Sequence, residues 1–252
     1  GFNLFQDYVV EIDYLNEKIT LYDPEHYKYR DRRKDIILPL HFDDNKPFVR
    51  TSIVTDNLEE VPVKLLIDTG ASDALWLSEK SDKRINLPQN HIESFLGRGL
   101  NGDLYGARGR IDGIWVGPLV LPKPIVAFPN SKMIDQLISA NDRNGTIGAE
   151  ILRRFKVTFD YRNRRLTLRP TYEIDDKFNY NMSGMEVINP IPGLPVFTIT
   201  DIRENSPAYF AGLKDEADEQ LKSKLYYNLG NTAYRRDKLE EALALYLEAL
   251  RL

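Results

Sequence analysis

Two segments of the chain, 1–24 and 148–171, align without a gap at a constant offset of 147 residues. Each starts with glycine and contains two runs of β-branched and aromatic residues, joined by the same Asp-Tyr-x-Asn turn. This pattern is typical of a β-hairpin, and chance similarity between two hairpins is the alternative explanation. A period of this length is too long for a solenoid. The repeat therefore predicts two copies of one domain, the first represented only by its tail.

Short segments rich in Val, Ile, Thr and aromatic residues continue through residues 1–172, with turn residues between them. Such spacing predicts a mainly β fold, a barrel or sandwich of antiparallel strands. One segment, 131–143, has apolar residues at helical spacing instead and predicts a helix. We expect strands at 7–14, 17–23, 47–55, 61–68, 113–117, 124–129, 155–161 and 164–170.

The composition argues against several kinds of partner and site. The 252 residues carry a net charge of −4, which does not favour nucleic acid as a partner. There is no cysteine, so disulfides, thiolate zinc sites and a thiol nucleophile are excluded, and three scattered histidines do not support a metal site. No apolar run approaches the roughly 20 residues of a membrane span. We expect neither a metal nor a cofactor.

An acidic residue, Asp68, ends the apolar strand predicted at 61–68. A carboxylate in that position is unfavourable unless hydrogen bonds hold its charge. Gly70 allows a tight turn that aims its N–H at the carboxylate, and Ser72 can donate to the outer oxygen. Thr69 can point its hydroxyl towards a partner lobe. These residues, with Ala71 between them, form the candidate catalytic loop.

The sequence "LLIDTGAS" around Asp68 closely resembles the aspartic proteases. Their second signature, an apolar pair followed by Gly and a short helix, resembles "GTIGAEILRRFKVTFDY" at 145–161. In that family this segment crosses under the catalytic loop. Gly148 lies 80 residues after Asp68, about the length of a retropepsin-like lobe. The resemblance implies that Asp68 is the catalytic acid/base and that Thr69 and Gly70 brace it.

A Gly-rich segment at 97–117 has the polar tip and extended flanks that a flap hairpin needs. The resemblance implies that this hairpin covers the substrate. The candidate substrate-binding residues of the flap are Gly102, Asp103, Tyr105 and Gly106.

A second acid is required, because aspartic protease chemistry uses two carboxylates that share one proton. The chain has no other Asp-Thr-Gly or Asp-Ser-Gly. Asp13 and Asp160 lie in turn motifs and are expected to be structural, and Asp73 is expected to be a solvated turn residue. The dyad then needs either a second lobe or a homodimer mate.

The C-terminal part differs in character. Residues 176–214 resemble the first half of a bacterial PDZ domain, without the strands that would close it. Residues 215–252 resemble a tetratricopeptide (TPR) helical hairpin, which cannot bury its apolar face alone and implies a protein partner. Whether the 214/215 junction is natural or engineered stays open. The expected domains are therefore a truncated lobe tail (1–30), a retropepsin-like lobe (31–175), a partial PDZ-like segment and a TPR-like hairpin.

As a whole, the chain resembles bacterial, Bacteroidetes-type aspartyl protease family proteins, which carry a PDZ-like segment after two retropepsin-like lobes. The resemblance implies an aspartic endopeptidase acting on peptides or proteins, with a periplasmic or cell-envelope address. The alternative is a non-catalytic protein-interaction fragment, in which Asp68 is an incomplete half-site.

Overall fold

A computed structural model describes residues 2–30, 32–99, 102–130, 142–189 and 197–213. The helix predicted at 131–143, except its last two positions, and the TPR-like hairpin at 215–252 lie outside the described residues. Contacts divide the chain into two units, Gly1–Asn179 and Tyr180–Leu252, and each is described by itself.

The first unit is built mainly of strands, as predicted. A five-stranded sheet has the order β2-β1-β14-β15-β3 in the described part of the chain. Its strands are β1 (Val9–Asp13), β2 (Lys18–Tyr22), β3 (Ile36–Pro39), β14 (Phe155–Asp160) and β15 (Arg165–Pro170). Two short helices, α1 (Phe2–Asp7) and α2 (Ala149–Leu152), precede β1 and β14, and they begin at equivalent positions of the repeat.

The two copies of the repeat meet along β1 and β14, which pair antiparallel. Glu11 lies opposite Thr158, and these two residues are equivalents in the repeat. The flanking pairs are reciprocal: Val10 pairs with Phe159, the equivalent of Ile12, and Ile12 pairs with Val157, the equivalent of Val10. A local twofold axis therefore passes between Glu11 and Thr158, and the two predicted hairpins are structural equivalents.

The turns of the two hairpins are also equivalent. Asp13 accepts hydrogen bonds from the backbone and side-chain amides of Asn16 at 3.2 and 2.9 Å. Asp160 does the same for Asn163 at 3.0 and 2.8 Å. These Asx-type bonds fix the turns, so the structural role predicted for both aspartates is confirmed.

The second sheet has ten strands in the described residues, in the order β11-β10-β5-β6-β13-β7-β12-β9-β8, with β4 paired to β5. Every strand predicted from the sequence is present within one or two residues. The bounds are β4 (His41–Asp43), β5 (Lys46–Val54), β6 (Glu60–Ile67), β7 (Leu75–Leu77), β8 (His91–Gly99), β9 (Gly102–Arg110), β10 (Gly113–Val116), β11 (Leu119–Pro122), β12 (Ile125–Pro129) and β13 (Gly145–Ile147).

Residues that face the core alternate along the strands of the first unit with residues that face away from it. Along β14 and β15, Val157, Phe159, Leu166 and Leu168 are buried and belong to one apolar cluster that also includes residues of the second sheet. The residues between them face the other side of the sheet, since successive side chains point to opposite faces. A 3₁₀ turn, Tyr172–Asp175, follows β15.

The described part of the second unit contains a β-hairpin and a helical turn. Strands β16 (Met185–Ile188) and β17 (Thr198–Ile202) pair antiparallel. Helix α3 (Pro207–Phe210) starts after Ser206, whose hydroxyl accepts a hydrogen bond from the Tyr209 N–H and caps it. The interpretation of this segment as PDZ-like stays a prediction.

Candidate active site

The loop that carries Asp68 joins β6 to β7, and β13 lies between these two strands. β13 pairs in parallel with β6, where Ile147 lies opposite Ile67, and antiparallel with β7, where Ile147 lies opposite Leu75. The loop 68–74 therefore arches over the end of β13. This is the arrangement expected from the two sequence signatures.

Backbone hydrogen bonds hold this loop on the segment that follows β13. The Asp68 N–H donates to the Ile147 carbonyl at 2.9 Å. The Gly148 N–H donates to the Ala74 carbonyl at 3.1 Å, and the Ala149 N–H donates to the Ala71 carbonyl at 2.7 Å. Because these bonds tie both ends and the middle of the loop to one segment, the position of Asp68 is fixed by the fold.

Gly148 is required by the closeness of this approach. A Cβ atom at residue 148 would lie 2.2 Å from the Asp73 carbonyl oxygen and 2.7 Å from the Ala71 carbonyl oxygen. Both atoms belong to the backbone and cannot rotate away. The apolar-apolar-Gly signature therefore has a steric reason: the chain passes directly under the loop.

The carboxylate of Asp68 is half-buried and accepts a hydrogen bond from the Gly70 N–H at 2.9 Å, as predicted. The hydrogen bond predicted from Ser72 is not made. Ser72 is exposed, because the loop turns this residue outward before Asp73 and Ala74 turn back towards the protein. Thr69 is also exposed.

Asp73 is not the solvated turn residue that the sequence suggested. Its side chain is only 16% exposed and forms an ion pair with Arg108, which is equally shielded, at 3.0 Å. The Arg108 Nε donates to the same carboxylate at 3.2 Å, and the Trp76 indole N–H donates to it at 2.7 Å. The two extra residues after Ser72 bring Asp73 inward, within reach of these donors.

Arg108 links the loop to both strands of the candidate flap. It lies on β9 and donates from Nη1 to the Phe95 carbonyl of β8 at 2.8 Å, and also to the Ser94 hydroxyl. Arg108 was not predicted from the sequence as a site residue. The signal that could have found it is a basic residue on the strand predicted to flank an unusually long acidic loop.

The predicted flap is a β-hairpin. β8 and β9 pair antiparallel, with Phe95 opposite Tyr105 and an irregularity before Gly97, whose φ is 138°. Tyr105 is 53% exposed, and its ring lies 5.5 Å from that of Phe95. Only the backbone of Gly102 and Asp103 is described. Contact of these residues with substrate stays a prediction.

Gly106 has a clear packing role on β9. A Cβ atom there would lie 2.2 Å from the Phe128 carbonyl oxygen, so glycine permits the close pairing of β9 with β12. Gly106 also lines a cavity of about 270 Å³, together with Glu93 and Phe128 among others. Its predicted role in substrate binding is untested.

Two buried polar atoms near Asp68 have no hydrogen-bond partner among the described residues: Tyr14 Oη and Arg143 Nε. The negative charge of Asp68 influences the pKa of both side chains. Burial raises the pKa of Tyr14, and the Asp68 carboxylate raises it further. Burial lowers the pKa of Arg143, and the same carboxylate opposes this shift. Since buried polar groups are nearly always paired, the surroundings of Asp68 lack acceptors that another group can supply.

Residues 54–150 match a family model described as aspartyl protease. The chain is similar to a retropepsin-like aspartic protease from Rickettsia conorii, at 18% identity and a TM-score of 0.38, over 53% of this chain and 98% of that one. It is also similar to the EIAV protease complexed with the inhibitor HBY-793, at 15% identity and a TM-score of 0.31, over 45% and 90% of the two chains. Curated proteins gave no significant match.

The family match supports an aspartic protease fold for residues 54–150. The matched segment contains the Asp68 loop, the β8–β9 hairpin and β13, which are the three parts that the sequence comparison singled out. In the part of the chain that the structure describes, no helix is long and apolar enough to cross a membrane. The same residues contain no group of three or more acidic or histidine side chains that could hold a metal.

Proposed function

We propose that this chain carries one half of an aspartic endopeptidase site, in which Asp68 is the catalytic acid/base. One observation carries the proposal: the loop that presents Asp68 is fixed by backbone hydrogen bonds on the segment that starts at Gly148, inside the region matched by the aspartyl protease family. The substrate class would be peptides or proteins, bound under the β8–β9 hairpin.

The chemistry follows from two carboxylates that share one proton. The ionised carboxylate accepts a proton from a water molecule, which attacks the scissile carbonyl carbon. The protonated carboxyl group donates its proton to the carbonyl oxygen, which gives a tetrahedral diol. The carboxyl group that took the water proton then passes it to the amide nitrogen as the C–N bond breaks and the amine leaves, and a hydroxyl proton of the diol returns to the other carboxylate. The Gly70 N–H lies 2.9 Å from Asp68 Oδ1 and stabilises the negative charge of Asp68 when this carboxylate is the one without the proton.

The second carboxylate is proposed to come from a second lobe or from a second copy of the chain. The unsatisfied Tyr14 hydroxyl and Arg143 Nε support this, since both are buried donors near the charge of Asp68. An acidic loop or a substrate carbonyl brought to Asp68 would supply the acceptors that they lack. A half-site completed from outside is one arrangement that would satisfy both groups.

The repeat gives independent support. Leu166 and Leu168 of β15 are 0% and 3% exposed, whereas their equivalents on β2, Ile19 and Leu21, are 64% and 44% exposed. The outer edge of β15 pairs with β3, and β2 has no such neighbour among the described strands. The β2 residues of the first copy are therefore apolar, like those of a buried sheet face, but they are exposed. This favours a first lobe, supplied by further sequence, that would bury them.

A second candidate function is a non-catalytic interaction fragment. The exposed apolar residues of β2 favour it, because exposed apolar surface marks a site for a protein partner. In this view the PDZ-like segment and the TPR-like residues 215–252 bind other proteins. The two candidates differ in one property, hydrolysis that depends on Asp68.

The decisive experiment compares Asp68→Asn with Asp56→Asn, an exposed carboxylate in the turn between β5 and β6. Cleavage of a denatured protein is measured at pH 4–6, with and without a statine-type inhibitor, together with the oligomeric state. If the chain completes its dyad as a dimer, activity should rise with the dimer fraction and fall by orders of magnitude in Asp68→Asn only. Activity that survives Asp68→Asn refutes the assignment, and inactivity of a well-formed dimer favours the interaction fragment.

A further inference from the structure

A cavity of about 510 Å³ lies on the face of the five-stranded sheet opposite the apolar core. Its floor includes Thr158 and Thr167, which alternate along β14 and β15 with the buried core residues. Its wall is the segment that leaves β2, here named the strap and defined as residues 23–35 without residue 31. The cavity is within the range of 300–1,000 Å³ that is usual for small-molecule sites.

Tyrosines hold the strap against the sheet. Tyr29 donates a hydrogen bond to Asp160, and the Arg165 guanidinium lies 4.2 Å from the centre of its ring. The Tyr27 ring lies 5.2 Å from the Tyr29 ring and 5.1 Å from the Tyr22 ring. At the other end of the strap, Asp35 accepts hydrogen bonds from Arg169 at 2.9 and 3.1 Å. These anchors keep the cavity open as a formed site.

Two cations of the sheet floor, Lys156 and Arg169, are paired with carboxylates. Lys156 forms ion pairs with Asp13 at 2.5 Å and Glu11 at 3.9 Å. Arg169 is paired with Asp35, whose side chain is 2% exposed. These two cations therefore contribute little unbalanced charge, whereas the third floor cation, Arg165, stacks on Tyr29.

The strap carries the excess positive charge. Lys28, Arg30 and Arg32 line the cavity, and none forms an ion pair with a carboxylate of the described residues. This cluster stands out because the whole chain has a net charge of −4. Several cations converging on one cavity raise the local concentration of anions.

Neutral donors complete the lining. Burial raises the pKa of Tyr27, and burial together with Asp160 raises the pKa of Tyr29 to about 12. The phenols therefore stay protonated at neutral pH and add no negative charge. Because the Tyr29 hydroxyl already donates to Asp160, the hydroxyls of Tyr27 and Thr167 are the neutral donors that remain for oxygen acceptors.

We propose that this cavity binds a small multivalent anion, a molecule with two or more phosphate or carboxylate groups. Three cations without carboxylate partners select for multiple charge, and the donors of the floor and strap suit oxyanion acceptors. The proposal concerns the outer face of the sheet and does not depend on the proposed hydrolysis at Asp68.

The test is calorimetric titration of the whole chain with tripolyphosphate and, separately, with citrate, which distinguish phosphate from carboxylate ligands. The strap variant is Lys28→Gln/Arg30→Gln/Arg32→Gln. The matched control is Lys46→Gln/Arg50→Gln/Lys83→Gln, which removes the same charge from exposed residues outside the cavity lining. Circular dichroism checks that both variants keep the fold.

We expect the strap variant to weaken binding by about tenfold or more, since it removes three charged contacts with the anion. The control should change affinity by less than about twofold, and binding should weaken as salt is added. Equal losses in the two variants would show unspecific attraction to positive charge and overturn the proposal. So would the absence of binding by either anion to the wild-type chain.

Discussion

The ion pair between Asp73 and Arg108 should stabilise the first unit more than an ordinary surface pair. Both side chains are 16% exposed, and the carboxylate accepts hydrogen bonds from Arg108 at 3.0 and 3.2 Å and from the Trp76 indole at 2.7 Å. Asp73→Ala leaves the guanidinium and the indole N–H without this acceptor. Breaking a buried pair costs about 3–5 kcal/mol, and the residual exposure reduces our expectation to about 2–4 kcal/mol.

A double-mutant cycle with Asp73→Ala and Arg108→Ala, measured by urea unfolding, isolates the interaction. Residues in direct contact give coupling energies of about 0.5–3 kcal/mol, and we expect a value in the upper half of that range. The matched control is the Asp112–Lys123 pair, in which the lysine is 59% exposed. Its coupling should lie at about 0–1 kcal/mol. If the two pairs gave the same coupling, the reasoning from burial would be refuted.

Three further predictions follow from the same contacts. Gly148→Ala should destabilise the fold and disorder the loop 68–74 that lies over residue 148. We expect a lower Tm and faster hydrogen exchange in this loop. An unchanged exchange pattern would contradict the steric argument. Leu166→Ala should cost about 2–5 kcal/mol in unfolding free energy, and the matched change at its exposed repeat equivalent, Ile19→Ala, less than about 1 kcal/mol. The hydrogen bonds from Arg169 lower the pKa of Asp35. This carboxylate should therefore stabilise the fold above its unfolded pKa and lose that contribution as pH falls below about 4. In Asp35→Asn the free energy of unfolding should depend less steeply on pH in that range, and an unaltered pH dependence would count against the pairing.

Local pattern predicted most of the first unit. All eight predicted strands are present, because each is a short run of β-branched and aromatic residues bounded by turn residues. The repeat predicted two equivalent hairpins, whereas the structure showed that they pair with each other and that Glu11 lies opposite Thr158. The short-range hydrogen bond from Gly70 to Asp68 also followed from the sequence, as the two residues are only two positions apart.

Contacts between distant parts of the chain were not predictable in this way. Asp73 and Arg108 are 35 residues apart, and nothing in either local sequence shows that the loop and β9 come together. The sequence placed Ser72 beside the carboxylate, whereas the observed path of the loop turns Ser72 outward and Asp73 inward. Gly106 was predicted as a flap residue, and only the structure showed that it is also required where β9 approaches β12.

The sequence by itself therefore predicted the β-rich fold and the two equivalent hairpins, and the resemblance to aspartic proteases predicted that Asp68 and Gly148 belong to one loop assembly. Only the tertiary structure showed how that assembly is held to the flap strands. It also showed that Tyr14 and Arg143, 129 residues apart in the sequence, have donors near the charge of one carboxylate that lack a partner among the described residues. The physical reason is that strand patterns and turns depend on neighbouring residues, whereas buried hydrogen bonds and charges depend on which distant residues the fold brings together.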